Sequence, residues 1–346
     1  MLTIDGSYGE AGGQILRTAL GLAVLTQTPI KVINIRAKRV QPGLRPQHLE
    51  GLRAVVQLCN GKVKGDRIGS TEIEFFPGQI AKRQLEIVIP TAGSIGLILQ
   101  SLQLACVHAE SNINIVINGG ADFGSWAPPI PWLQNVLLPL LKKMGYTIEI
   151  KSLRSGFYPK GGAKTEIKIT PAQKLKPIVL TKQGEIKSIK GLSIAAQQLR
   201  LRNVAERQAE SASNVIEKQL GFKAQIEIKY VEALNPGSGL VLWLQTENTV
   251  IGSSAIGQIG ITAENVGQRA AKDLINDFET DACLDRHAAD QILPFLALAE
   301  GQSEITIPEL TSHARTNMWV IEQFLKTKFF IKGKKPVKVI CNGYGL

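Results

Sequence analysis

The sequence predicts an α/β fold of three repeated βα modules with a smaller α/β domain inserted between the second and third. Three observations carry this. An apolar helix followed by a β-branched strand occurs three times. The first two copies start about 83 residues apart and the last two about 194 apart. The excess, about 110 residues, reads as strands and helices of its own.

In the first copy Gln14-Ile15-Leu16 opens an apolar helix that runs through Leu25, and a turn at Pro29 leads to a strand over Lys31 to Ile35. A helix from Gln47 to Asn60 and strands around Lys62 and Glu72 follow. The second copy runs from Leu97-Ile98-Leu99-Gln100 through Cys106 into a strand over Ile113 to Ile117. The insertion has limits near Thr181 to Gly184 and Asp281 to Cys283. Within it the pattern predicts a strand (Ile186 to Ala195), an amphipathic helix (Val204 to Leu220) and a strand (Ala224 to Val231). A loop at Asn235 to Gly239, a strand (Leu240 to Gln245) and a helix (Thr262 to Phe278) complete it. The third copy starts at Gln291-Ile292-Leu293, continues through Ala299 and ends in a strand over Ile305 to Ile307. The expected division is a large domain, 1–182 with 282–346, and an inserted domain, 183–281.

Composition narrows the function classes. At 346 residues, 44% hydrophobic and 20% charged, the chain suits a globular protein with a sizeable core. The net charge of +11 favours polyanionic partners such as RNA, DNA or nucleotides. Four scattered cysteines, without C-x-x-C spacing, argue against a disulfide framework or structural zinc and for a reducing cytoplasm. The start, MLTIDGS, lacks a basic region followed by an apolar stretch, so no secretory signal is expected. No apolar run reaches the roughly 18 residues of a membrane span.

The chemistry-bearing segments lie at the two ends. Gly6, Gly9, Gly12 and Gly13 would let backbone approach an anion at a helix start, yet the segment has neither P-loop nor dinucleotide-binding spacing. Glu10 would repel a phosphate there unless a divalent cation lay between them, magnesium typically needing one or two carboxylates; otherwise the segment is a surface turn with an incidental acid. Arg36, Lys38, Arg39 and Arg45 crowd a strand end and form either a phosphate or RNA-backbone contact or a solvated basic loop. Arg17, one turn after Gln14, projects toward the same end. Among the four histidines, His108 reads as a C-terminal helix cap or a core-edge residue and His48 as a cap or RNA contact. His287 starts a helix from which its ring could stack on a base. His313, in a loop with Ser312, Thr316 and Asn317 placed to orient it, is the candidate nucleophile.

Several of these segments, taken in order, resemble an RNA 3'-terminal phosphate cyclase over nearly the whole chain. They are Asp5 to Arg17, Ile35 to Arg39 with Pro42-Gly43-Leu44, Gln47-His48-Leu49, Ala92-Gly93-Ser94 and Gly156 to Gly162. Val204 to Arg207, Ala289-Asp290-Gln291, and Ser312-His313 with Thr316-Asn317 complete the set. The resemblance implies modules like the C-terminal domain of translation initiation factor 3. It also implies ATP-dependent conversion of an RNA 3'-phosphate to a 2',3'-cyclic phosphate, through histidine-bound AMP on His313 and an RNA-(3')pp(5')A end. Glu10 then looks like the ligand of Mg2+ or Mn2+. Arg17, Arg36, Arg39 and Gln47 resemble the phosphate and RNA-end contacts. Gln100 and the run His287, Ala288, Ala289, Asp290, Gln291 resemble the ATP site, with Pro128 or Pro129 across the adenine. The chain departs from the family pattern at His287, where tyrosine is frequent, at Ala11, where glycine is common, and at Ala314-Arg315, in place of two leucines. The alternative is a noncatalytic cyclase-like protein of ribosome assembly, which lacks the active-site histidine. Two-lobed enolpyruvyl transferases fit poorly, since the repeat intervals are unequal. RNA 3'-phosphate ends and ATP are the expected partners, no membrane is expected, and the sequence assigns no oligomeric state.

Overall fold

The computed structural model describes residues 1–124 and 127–346. The first module comprises β1 (Leu2–Asp5), α1 (Gly13–Thr26), β2 (Ile30–Ile33), α2 (Pro46–Cys59), β3 (Lys62–Lys64) and β4 (Ile73–Phe76). β1 and β2 run parallel, and β4 lies antiparallel between β2 and β3, giving the order β1-β2-β4-β3. Alternating burial along β2 (Ile30 and Val32 inward) is the period-2 pattern of a sheet covered on one face. The covering layer is α1 and α2, whose apolar sides join Phe75 and Ile73 in the core.

The second module repeats this path with β5 (Gln84–Ser94), α3 (Ile95–Ala105), β6 (Ile113–Ala121), α4 (Ile130–Trp132), α5 (Leu138–Lys143), β7 (Thr147–Arg154) and β8 (Lys164–Thr170). A π-helical turn, Leu133–Leu137, joins α4 to α5. Its sheet order is β5-β6-β8-β7, again with the first pair parallel. The third module begins with the short strand β9 (Val179–Leu180) and is then interrupted.

The interruption contains β10 (Ile186–Ala196), α6 (Val204–Leu220), β11 (Gln225–Val231), β12 (Ser238–Thr246), β13 (Val250–Ile256) and α7 (Ala263–Phe278). Its strands form a separate sheet, β11-β10-β12-β13, under α6 and α7, with a core built on Leu240, Leu242, Leu244, Ala270 and Leu274. The third module then resumes with α8 (Arg286–Leu298), β14 (Gln302–Ile307), α9 (Ser312–Phe324), β15 (Phe329–Lys332) and β16 (Val337–Asn342). β9 pairs parallel with β14, and the order β9-β14-β16-β15 matches the other two modules.

The repeat helices converge at the centre. α1 packs on α3 and α9, and α8 packs on α9 and α3. At the α1–α3 crossing Gly21 is required, because a Cβ there would lie 2.8 Å from Leu104 Cβ. One continuous hydrophobic core runs through all three modules and takes in Ile194, Ala196, Val241 and Val250 from the interrupting segment. That segment is also tied at its base, where Gln183 Nε2 donates to Phe278 O and Ala282 O. Thr249 Oγ1 donates to Cys283 O at 2.6 Å.

Candidate functional site

The site starts with the turn between β1 and α1. Asp5 accepts from both the amide and the hydroxyl of Ser7 at 2.9 and 2.8 Å, closing a local loop. Gly9 has φ +54° and Ala11 φ +51°. A side chain at Gly9 would run into Thr316 Oγ1, whereas Ala11 adopts the left-handed conformation at about 1–2 kcal/mol of strain. The ring of Tyr8 stacks on Trp319 of α9, centroids 4.1 Å apart, and so fastens this turn to the far end of the sequence.

The result is a contact across the molecule: His313 Nε2 lies 3.2 Å from Glu10 Oε2, and an Arg39 guanidinium nitrogen lies 3.6 Å from the same oxygen. His313 occupies the first turn of α9 rather than the loop before it. Thr311 caps that helix by accepting from Ala314 N at 2.9 Å and donates to Asp290 Oδ1 at 2.6 Å, joining the starts of α8 and α9. Thr316 and Asn317, expected to orient the ring, are buried beneath the helix. Asn317 instead accepts from Thr18 Oγ1 and donates to Asp290 O, both at 2.7 Å, which locks α1, α8 and α9 together. Partial burial lowers the basicity of His313, the cations Arg17 and Arg39 act in the same direction, and Glu10 opposes them. The net effect sets its pKa below the ordinary imidazole value and so favours the neutral ring.

Beside this pair lies a cleft of about 430 Å³. Each repeat helix delivers one glutamine to it: Gln14 from α1, Gln100 from α3 and Gln291 from α8. Arg17 Nε donates to Gln100 Oε1 at 2.7 Å and Arg17 Nη2 to Gln14 Oε1 at 3.0 Å. These partners are neutral, and burial alone pushes the Arg17 pKa down to about 10. His287, Asp290, His313 and Pro128 complete the expected lining. Burial raises Asp290 to about 7, with Glu10 and Glu309 adding to it and the Thr311 hydrogen bond opposing. The His287 ring meets Trp132 edge-on at 6.2 Å, and burial lowers its basicity. Gln291 Oε1 is buried and has no hydrogen-bond partner among the described residues.

Not every expected residue reaches the cleft. Ala288 and Ala289 lie on the buried side of α8, 0% and 1% exposed, so the helix period turns their methyl groups into the core. Pro129 is a buried N-cap to α4, and Pro128 takes the lining position. Arg36 uses its guanidinium to close its own loop, donating to Gln41 O at 2.7 Å and Gly43 O at 3.0 Å. With Arg39 and Arg45, whose charges lower its own pKa after burial, it forms a cationic rim; burial first, and then the charges of Arg17, Arg36 and Arg45, push the His48 pKa down to about 3. Gln47 lies on the first turn of α2, its Cβ 3.5 Å from where a Cβ on Gly93 would sit. Among the described residues no group of three or more His, Cys, Asp or Glu side chains is arranged to hold a metal. No helix there is long and apolar enough to cross a membrane.

Sequence reasoning missed the part of the wall formed by Ser254, Ala255, Ile256, Gln258 and Arg269. These come from β13, the following turn and α7, inside the interruption. The signal for β13 was weak because Gly252, Ser253 and Ser254 are poor strand formers. Gly252 is small for a tertiary reason: a Cβ there would meet Trp132 Nε1 at 2.6 Å.

A family model described as RNA 3'-terminal phosphate cyclase matches residues 8–331. The chain belongs to the RNA 3'-terminal phosphate cyclase family. It is 43% identical over 342 residues to the RNA 3'-terminal phosphate cyclase of Methanopyrus kandleri, covering 97% of this chain and 96% of the relative. The Pyrococcus furiosus protein of that name is 44% identical over 344 residues, 98% and 99% of the two chains. A third relative so named, from Caldivirga maquilingensis, is 44% identical over 352 residues, 99% and 98%. Within this cyclase-family fold, Glu10 and His313 come from opposite ends of the sequence and meet where the first and third modules pack.

Proposed function

We propose that this protein is an ATP-dependent RNA 3'-terminal phosphate cyclase acting through AMP bound covalently to His313. The observation that carries the reading is the His313 imidazole, 3.2 Å from Glu10, at the edge of a cleft lined by a half-buried arginine whose hydrogen-bond partners are uncharged. An anionic ligand would give that guanidinium the counter-charge it lacks. Gln291, whose buried Oε1 has no hydrogen-bond partner among the described residues, would offer an acceptor to a donor such as an adenine amino group on turning its amide to the cleft. Four buried free cysteines accord with a reducing compartment, the cytoplasm in this reading.

The chemistry follows from the placement. An imidazole nitrogen lone pair attacks the α-phosphorus of ATP, forming a P–N bond as pyrophosphate leaves with its bonding pair. An oxygen of the RNA 3'-phosphate then attacks the same phosphorus and the P–N bond breaks, restoring the imidazole. The adjacent 2'-hydroxyl finally attacks the 3'-phosphorus, loses its proton and expels AMP, leaving the 2',3'-cyclic phosphate. Arg17 and the rim formed by Arg36, Arg39 and Arg45 hold the phosphates, with Gln47 near the RNA end. Gln100, Pro128, His287, Asp290 and Gln291 contact the nucleotide. Glu10, a single carboxylate, fits a cation that arrives on phosphate oxygens better than one held by protein alone, and Mg2+ or Mn2+ there would neutralise phosphate charge. In the same reading residues 1–182 with 282–346 form the large unit and 183–281 an inserted one that closes one wall of the cleft.

The test is incubation with α-32P-ATP and magnesium, without RNA. The wild type is expected to take up an acid-labile AMP label, and His313→Ala none; full labelling of the variant would remove His313 from this role.

A further inference from the structure

The segment Gly156 to Gly162 takes no part in the chemistry above, yet it is a built structure. Gly156 N donates to Asp122 Oδ1 at 2.8 Å, and Gly161 N to Phe157 O at 2.7 Å. Phe157 packs on Phe123, with centroids 5.8 Å apart. From the interrupting segment, Asn235 Oδ1 accepts from Lys160 N at 3.2 Å and Asn235 Nδ2 donates to Tyr158 O at 2.8 Å. The backbone is thus anchored on both sides, while the tip points outward: Tyr158 is 71% exposed.

Three cations belong to this loop or to the strand ends that flank it. Lys160 neighbours Tyr158 in sequence, and Arg154 and Lys164 are register partners where β7 meets β8. Arg154 Nε donates to Gly162 O at 2.6 Å, which holds its guanidinium at the loop. None of these three cations belongs to an ion pair among the described residues. The loop also approaches the first turn of α2, whose N-cap is Arg45 of the cationic rim. A Cβ on Gly161 would lie 3.0 Å from Thr91 O and Ala92 Cα, and the next residue, Gly93, abuts Gln47 of α2.

We propose that this loop is a docking platform for the RNA strand just upstream of its 3' end, with Tyr158 stacking on a base and Arg154, Lys160 and Lys164 contacting phosphates. The occupant is single-stranded RNA, because an exposed ring amid unpaired cations matches a polymer that alternates aromatic faces with anions. The anchoring through Asp122 and Asn235 fixes the loop backbone beforehand, which lowers the ordering cost at binding. The inference rests on the RNA-end reading, and its test separates the two.

The first measurement is fluorescence anisotropy with a ten-nucleotide RNA ending in a 3'-hydroxyl, which needs no chemistry. Tyr158→Ala and Lys160→Ala are each expected to weaken binding at least fivefold, while Tyr158→Phe keeps it. Unchanged affinity in both alanine variants overturns the platform. The second compares RNA 3'-phosphates of two and ten nucleotides. In Tyr158→Ala the KM for the longer RNA should rise at least fivefold, with AMP labelling and the KM for the dinucleotide unaltered. An equal rise for both lengths would place Tyr158 at the reacting end and refute an upstream platform. Loss of AMP labelling in the wild type would count against the proposed chemistry, and the anisotropy result would still decide the platform.

Discussion

Arg17→Met should leave the ligand-free protein more stable while removing its response to ATP. The guanidinium is mostly buried, donates only to the neutral amides of Gln14 and Gln100, and has its pKa pushed down to about 10 by burial. That is roughly two and a half pH units below its ordinary value, which at about 1.4 kcal/mol per unit corresponds to about 3 kcal/mol for keeping the charge in place. Water in the cleft screens part of it, so about 2–3 kcal/mol is the working figure. Against this, the variant loses two hydrogen bonds of about 1 kcal/mol each, although both freed amides can turn to cleft water. Methionine keeps an apolar stem of similar reach. The net expectation is a gain of about 1 kcal/mol in urea unfolding. With ATP at about 100 times its dissociation constant, the wild type should gain about 2.7 kcal/mol and the variant almost nothing. A variant destabilised by more than 1 kcal/mol without ligand, or stabilised by ATP as the wild type is, would refute the reasoning.

Two further predictions concern the framework. Asp285 is fully buried, raised to about 7 by burial, and accepts from His287 N, Ala288 N and Gly252 N at 2.9, 3.0 and 3.0 Å. Asp285→Ala strands three amides and should cost about 2–4 kcal/mol in denaturant unfolding; a loss below 1 kcal/mol would show that the cap is dispensable. His48 is held near a pKa of about 3, so between that value and about 6.5 only the unfolded chain takes its proton, and stability must fall as pH falls through that window. His48→Asn, which keeps an acceptor for Arg45 N but does not titrate, should show a stability slope shallower by about 1 kcal/mol per pH unit between pH 6 and 5. Identical slopes in variant and wild type would exclude His48 as the source.

Local elements were legible where burial has one period. The helix read as Val204 to Leu220 appears with those bounds, and the strand read as Ile186 to Ala195 extends by one residue. α6 buries one apolar side (Ala205, Ala209, Ala212 and Ile216), and β10 alternates buried and exposed residues from Ile189 to Gly191. β13 was illegible because its residues answer to Trp132 and α7 rather than to strand propensity. The placement of His313 in a loop failed for a related reason. Thr311 was not recognised as an N-cap, and its hydroxyl also serves Asp290, 21 residues earlier in the chain.

The sequence alone determined which residue types were present and which local periods they follow: three helix–strand copies, a long interval before the last, a glutamine in each copy, and acid and histidine at opposite ends. The tertiary structure decided which of them meet. Glu10 touches His313, Thr18 touches Asn317, and the third wall of the cleft comes from the interrupting segment. Periodicity reports how each segment meets its own neighbours, whereas contacts spanning some 300 residues depend on how α1, α8 and α9 pack. That packing is set by side-chain volume and buried hydrogen bonds summed over the whole core.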